Sequence, residues 1–214
     1  MNSHVDTTEL TARQQAVLDA TLATLVEEGD ALTMSSVSRR ASCSKETLYK
    51  WFGDRDGLLT ATVRWQASKV NVPVVDRATL SREALVATLE NFARDWLTVI
   101  SSGTSIALNR VAVSHAGSGK SKLGEIVLKN GRNAMGLRLE PVLLAARDAG
   151  LLVFDDVGEA FRTFFGLTLR DTQIRLLLGD ELALTQTQIS ADAENASAQF
   201  MALYGHPTSP HSKG

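Results

Sequence analysis

Apolar side chains recur along this chain at intervals of three and four residues, with polar and charged residues between them, which is the pattern of helices that each bury one face. From Thr11 to Glu28 the stripe is Leu18, Leu22, Leu25 and Val26, and Gly29 is placed to stop the helix. Thr33 can cap a short helix carrying Met34, Val37 and Ala41, and Ser44 can cap a second that runs to Phe52 with Leu48 and Phe52 on one face. Gly53 ends that helix and Asp54 can cap the next, which carries Leu58, Leu59, Ala61, Thr62 and Trp65 to about Val70, ahead of Pro73.

The remainder also predicts helices. Leu85, Leu89, Phe92 and Trp96 form a stripe over roughly 81–100, another helix lies around 104–115, and Ala116 to Ser121 is a joint rich in Gly and Ser. A pattern from Leu123 to Ala149 contains Gly131, Gly136 and Pro141, which predicts a bend near 139–141. Helices over 156–178 and 184–203 complete the series, and no run alternates as a strand would. The fold class is therefore all-α, divided into a flexible arm (1–10), a three-helix head containing a helix-turn-helix (11–60), a helical body (61–205) and a flexible tail (206–214).

Composition narrows the function classes. With 214 residues, 44% of them apolar, the chain can bury a sizeable core. Its formal charge of −2 argues against a general basic coat for nucleic acid. The distribution says more: residues 33–55 carry Arg39, Arg40, Lys45, Lys50 and Arg55 against only Glu46 and Asp54, a local positive patch of the kind that meets phosphates. Cys43 is the only cysteine, which excludes an intramolecular disulfide and suits a packed turn residue better than a redox sensor. The first residues lack the pattern of a secretory signal and no apolar run has the length of a membrane span, so a cytoplasmic protein without a membrane partner is expected.

In a helix-turn-helix the first helix braces the second, whose N-terminal half enters the major groove of DNA. Val37, Ala41, Leu48 and Phe52 supply the brace, leaving Lys45, Thr47, Tyr49 and Lys50 outward to meet phosphates and base edges. The helix N-termini at Thr33 and Ser44 also offer backbone N–H groups. Thr33 can equally be a cap and nothing else, Tyr49 can lean into the core, and Trp51 fits the core or the DNA edge.

Thr33, Val37, Ala41, Ser44, Thr47, Leu48, Tyr49, Phe52, Arg55, Asp56 and Leu58 together resemble the DNA-binding signature of the TetR family of transcriptional regulators. The chain departs from that signature at Ser42, where the family usually has Gly, and at Ser38, where Ala is common; Arg55 keeps the charge of the usual Lys. The resemblance gives DNA-contacting roles to Thr33, Lys45, Thr47, Tyr49, Lys50 and Arg55, beside the cap Ser44. It further implies a homodimer on a double-stranded operator, a small-molecule effector pocket in the body and no cofactor. The segment EPVLLAARDAGLLVFDDVGEAFRTFFGLTL resembles the C-terminal domain of the AefR-like subgroup.

For the pocket, Phe92, Trp96, Leu108, Val111, His115, Met135 and Leu139 combine bulky apolar walls with polar handles, which suits an apolar ligand oriented by a few hydrogen bonds. For the dimer seam, Ala160, Phe161, Phe164, Phe165, Thr168 and Leu169 give a broad stripe that can pair with Ile189, Ala193, Ala196 and Phe200 of the last helix. The neighbouring alternative is that Phe161 and Phe165 close the monomer's own core. Ser118-Gly119-Lys120-Ser121 is not a phosphate loop, because the required upstream Gly is Ser114 and no strand precedes it. His4, His115, His206 and His211 lack metal-ligand spacing. The reading is thus a ligand-responsive repressor and not an enzyme. Its competitor is a helical protein-interaction module without specific DNA binding.

Overall fold

The computed structural model describes residues 10–117, 122–182 and 184–206; residues 1–9, the Ser118–Ser121 motif, Ala183 and 207–214 lie outside it. Most helices begin where a short polar side chain can accept a backbone N–H. Thr11 and Gln14 form a capping box at the start of α1 (Ala12–Glu28), and Thr33 and Ser36 form another at α2 (Met34–Arg40). Ser44 caps α3 (Lys45–Phe52) and Asp54 caps α4 (Arg55–Ala67). Ser81 opens α5 (Arg82–Ser101) and Ser102 opens α6 (Gly103–Ser114). Gly29 and Gly53 end α1 and α3 with positive φ angles, as their spacing predicts.

Beyond the joint, α7 (Leu123–Val127) passes through a π-helical turn, Leu128–Arg132, into α8 (Asn133–Asp148). The expected irregularity is therefore about ten residues earlier than the bend predicted at 139–141. Pro141 is accommodated inside α8 because it and Leu137, whose carbonyl it leaves without a donor, are both exposed and open to water.

The helix expected over 156–178 is two helices: α9 (Val157–Leu169) and α10 (Thr172–Leu178). Arg170 turns the chain with φ 44°, a break that no Gly or Pro announces. Arg110 of α6 then holds α10 by donating to the carbonyls of Leu176 and Leu177. The last helix, α11 (Gln186–Tyr204), ends in an antiparallel bridge between Leu152 and Gly205; Val153 N–H donates to Tyr204 O and His206 N–H to Leu151 O. His206 is thereby held, although the sequence assigns it to a flexible tail. Leu10, assigned to the arm, packs against the head.

Two buried clusters result. One joins α1–α4 with Leu108, Val111 and Ala112 of α6 and Leu123 of α7. The other joins α5, α8, α9 and α11 around Leu89, Phe92, Leu139, Phe164 and Phe200. Helix α4 connects them: Leu58, Leu59 and Val63 fill the head, while Ala67 packs against the second cluster. Among the described residues no helix is long and apolar enough to cross a membrane.

Candidate nucleic-acid interface and effector cavity

Helix α3 buries Leu48 completely and leaves Lys45, Glu46, Tyr49 and Lys50 exposed, with Tyr49 at 52%. Ser44 and Thr47 are tied to each other, the Ser44 hydroxyl accepting Thr47 N–H at 3.1 Å and lying 3.1 Å from the Thr47 hydroxyl. Thr33 stands exposed at the start of α2. These six sequence candidates lie on the two helices of one helix-turn-helix unit. Arg55 differs from them: it is half-buried and its Nε donates to Leu32 O at 3.1 Å, so it braces the loop before α2. Trp51 is half-buried and meets Phe52 edge-on, on the core side of its two expected places. Arg40 is drawn away from the patch by its ion pair with Glu27, which lowers the Glu27 pKa and raises that of Arg40.

The turn itself rests on two residues. Ser42 N–H donates to Arg39 O and Cys43 N–H to Ser38 O, the bonding of a Schellman motif with Ser42 left-handed at φ 48°. Arg13 of α1 then donates to the carbonyls of Ala41 and Ser42 at 2.9 and 2.8 Å, fixing the turn from outside. Cys43 packs against the head as a small turn residue. A serine in this conformation carries strain of about 1 kcal/mol that glycine lacks, partly offset by glycine's greater unfolded-state freedom. Ser42→Gly is therefore expected to raise the thermal midpoint of the chain by about 1–3 °C, read by calorimetry. A lower midpoint would show that the turn is not left-handed there.

Glu46 is a surface residue that the sequence reading passes over. Its own backbone N–H and the Ser44 hydroxyl hold its carboxyl below the ordinary range, so a fixed negative charge stands beside Lys45 at the start of α3.

A cavity of about 280 Å³ opens between α4, α5, α6, the π-helical turn and α9. Trp96, Val99 and Ile100 of α5, Leu108 of α6, Met135 of α8 and Phe165 of α9 form its apolar walls. Gln66, Asn109, Arg132 and Gln173 are its main polar lining. Trp96 meets Phe165 with ring centroids 4.9 Å apart, and the Arg132 guanidinium lies 5.2 Å from the Phe165 ring. Of the sequence candidates, Trp96, Leu108 and Met135 line this space. Phe92 and Leu139 are fully buried in the body core, Val111 packs in the head cluster, and His115 ends α6 outside the lining. Phe92, Leu139 and Val111 are corrected for a common reason, since they sit on helices that pass the cavity but face another neighbour, and His115 is corrected because it stands past the end of α6, outside the lining.

A profile for the AefR-like transcriptional repressor C-terminal domain matches residues 87–206. The fold is shared with a TetR transcriptional regulator from Agrobacterium tumefaciens at 45% identity, covering 92% of this chain and 96% of that one with a TM-score of 0.78. The chain belongs to the TetR family of transcriptional regulators. Another similar TetR-fold structure is the flavonoid-responsive regulator FrrA, at 25% identity over 92% of this chain and 98% of that one, TM-score 0.66. The HTH-type transcriptional regulator BetI of Paraburkholderia xenovorans is 44% identical over 63 residues, 26% of this chain, so the match spans about a third (32%) of BetI's own length.

Family membership does not favour the alternative of an interaction module without specific DNA binding. The proposed TetR dimer residues, however, need correction. Ala160, Phe161, Phe164, Thr168, Leu169, Ile189, Ala193, Ala196 and Phe200 are buried inside the single chain, where α9 and α11 pack on each other and on α5. Phe165 is half-buried at the cavity. Residues already enclosed by their own chain leave no surface for a partner. From Ala191 onward the face of α11 turned outward is instead Ala191, Glu194, Asn195, Ala198, Gln199, Ala202 and Leu203.

Proposed function

We propose that this TetR-family protein is a repressor that binds a pseudo-palindromic operator as a homodimer and leaves it when a small, mostly apolar effector enters the body cavity. One observation carries this reading: α4 is at once a brace of the recognition helix and a wall of the cavity, through Val63, Gln66 and Ala67. Any ligand that shifts α4 changes where α3 points. Release requires the ligand to favour the arrangement whose two heads do not fit the operator, since equal affinity for both arrangements would shift nothing.

Lys45, Thr47, Tyr49 and Lys50 contact DNA in this reading, with the helix starts at Thr33 and Ser44 meeting phosphates. Glu46 adds an acceptor suited to a cytosine amino group. The dimer seam is assigned to the outer faces of α9 and α11, where Ala191, Ala198 and Ala202 permit close approach. The flavonoid-responsive FrrA supports an aromatic effector.

The direct test is binding to duplexes from beside its own gene against random duplex at about 0.15 M salt. Specific, steeply salt-dependent binding is expected, and Lys50→Ala should weaken it about fivefold while flattening the salt slope. Equal affinity for selected and random DNA would end the repressor reading.

A further inference from the structure

Resting on the reading of the cavity as the effector site, we propose that Gln66 selects effectors that donate a hydrogen bond: one- or two-ring molecules bearing a hydroxyl group, with Gln66 Oε1 as the acceptor. Gln66 is 5% exposed and its Oε1 has no hydrogen-bond partner. A buried amide oxygen without a partner is costly unless something that enters the site meets it.

Its orientation follows from a relay of hydroxyls. Ser102 Oγ donates its proton to Val99 O at 2.7 Å, so at its 3.2 Å contact with Thr104 Oγ1 it must accept. Thr104 therefore gives its own proton to Ser102, and can only accept at its 2.8 Å contact with Gln66. That makes the Gln66 atom facing Thr104 the NH2 group, and the remaining amide atom the oxygen. Thr104 lines a smaller neighbouring hollow with Gln66, Lys69, Asp95 and Thr98 and is absent from the main cavity, whereas Gln66 lines both spaces. With its NH2 committed to Thr104, Gln66 keeps an unpartnered Oε1 for a molecule that enters the cavity it also lines. The hydroxyl chain holds the amide this way round, because flipping it would set an oxygen against a hydroxyl whose proton is already used.

The walls set the rest of the ligand. Trp96 and Phe165 offer aromatic surface, and Val99, Ile100, Leu108 and Met135 close the space with apolar groups. An apolar cavity of about 150 Å³ holds benzene, so about 280 Å³ takes up to about two fused rings. Such a ligand buries its rings against the apolar walls and spends its hydroxyl proton on Gln66.

The test uses 2-naphthol, 2-methoxynaphthalene and naphthalene as probes of one ring system and different donor capacity, titrated calorimetrically into the full chain without DNA. Wild type should bind 2-naphthol at least tenfold more tightly than the methoxy compound, which can only accept. In Gln66→Met, which keeps length and removes the acceptor, the ratio should fall to about twofold or less, with binding of naphthalene maintained or improved. Thr104→Val leaves the acceptor in place but breaks the relay; it should also shrink the ratio, since the amide can then present either end. A wild-type ratio near one, a ratio that survives Gln66→Met, or no 2-naphthol binding up to about 1 mM would overturn the proposal. Operator release is measured separately with the same probes: a probe that binds without discrimination yet releases operator would refute the role of Gln66 and leave the repressor reading standing.

Discussion

Ala193→Glu is expected to unfold the helical body, whereas Ala198→Glu combined with Ala202→Glu is expected to leave it folded and split the dimer. Ala193 is fully buried where α11 lies against α5, beside Leu89, Phe92 and Phe200 in one apolar cluster. A carboxylate placed there has no partner. An unpaired buried charge costs about 3–5 kcal/mol, a large part of the 5–15 kcal/mol that holds a typical domain together. Ala198 and Ala202 lie on the opposite face of the same helix and are exposed. Glutamates there stay hydrated in the monomer, where their i,i+4 repulsion with each other and with Glu194 costs only about 0.2–0.5 kcal/mol per pair, and they meet a second set of like charges across the proposed two-fold seam. Sedimentation with far-UV circular dichroism separates the outcomes: Ala193→Glu should lose its cooperative unfolding transition, and the double variant should sediment as a folded monomer with weakened operator binding, because separated heads lose the fixed half-site spacing. A folded, dimeric Ala193→Glu would mean that α11 packs by its other face.

The contrast shows where the sequence was legible. Helix starts were readable because caps act over three residues: Thr33 with Ser36, Ser44 with Thr47, and Asp54 with Gly57 are all local bonds. The exposed set on α3 followed from the same local logic, since burying Leu48 leaves Lys45, Tyr49 and Lys50 outside. The stripe of α9 was equally visible, but periodicity does not say what a stripe faces. Phe161 and Phe164 satisfy their own chain, and Phe165 turns to the cavity. Gln66 carried no signal at all, because its meaning depends on Thr104, 38 residues away. The π-helical turn was likewise hidden: Gly131, Gly136 and Pro141 read together as a bend near 139–141, yet a Cβ at Gly136 would come within 3.0 Å of the Phe161 ring, so that glycine seats one helix on another.

The second large effect concerns transmission from cavity to head. Helix α4 is fastened to the segment across the cavity at two places. Arg64 Nε donates to the buried Asn130 Oδ1 at 2.8 Å, and Arg138 of α8 donates to Ala67 O at 2.7 Å and to Val70 O, capping the end of α4. Burial beneath this contact pushes the Arg138 pKa down through lost hydration, and the guanidinium remains a strong donor. Asn130 sits within the π-helical turn, whose Leu128, Gly131 and Arg132 line the cavity. A ligand that repacks this turn therefore moves α4 through these bonds. If the wild-type coupling is about 2 kcal/mol, effector weakens operator binding roughly 30-fold. Arg64→Met combined with Arg138→Met cuts both ties while keeping much of the aliphatic length, and should reduce that response to about threefold. Operator affinity without effector should stay within about threefold, because the head core of Leu48, Leu58 and Leu59 is untouched. Ligand affinity for the cavity, titrated without DNA, should also hold, since neither Met replaces a group that meets the ligand in this reading. A double variant that still releases operator by the full wild-type factor would show that the signal reaches the heads by another route, such as the packing of α1 on α6 or of α4 on α7.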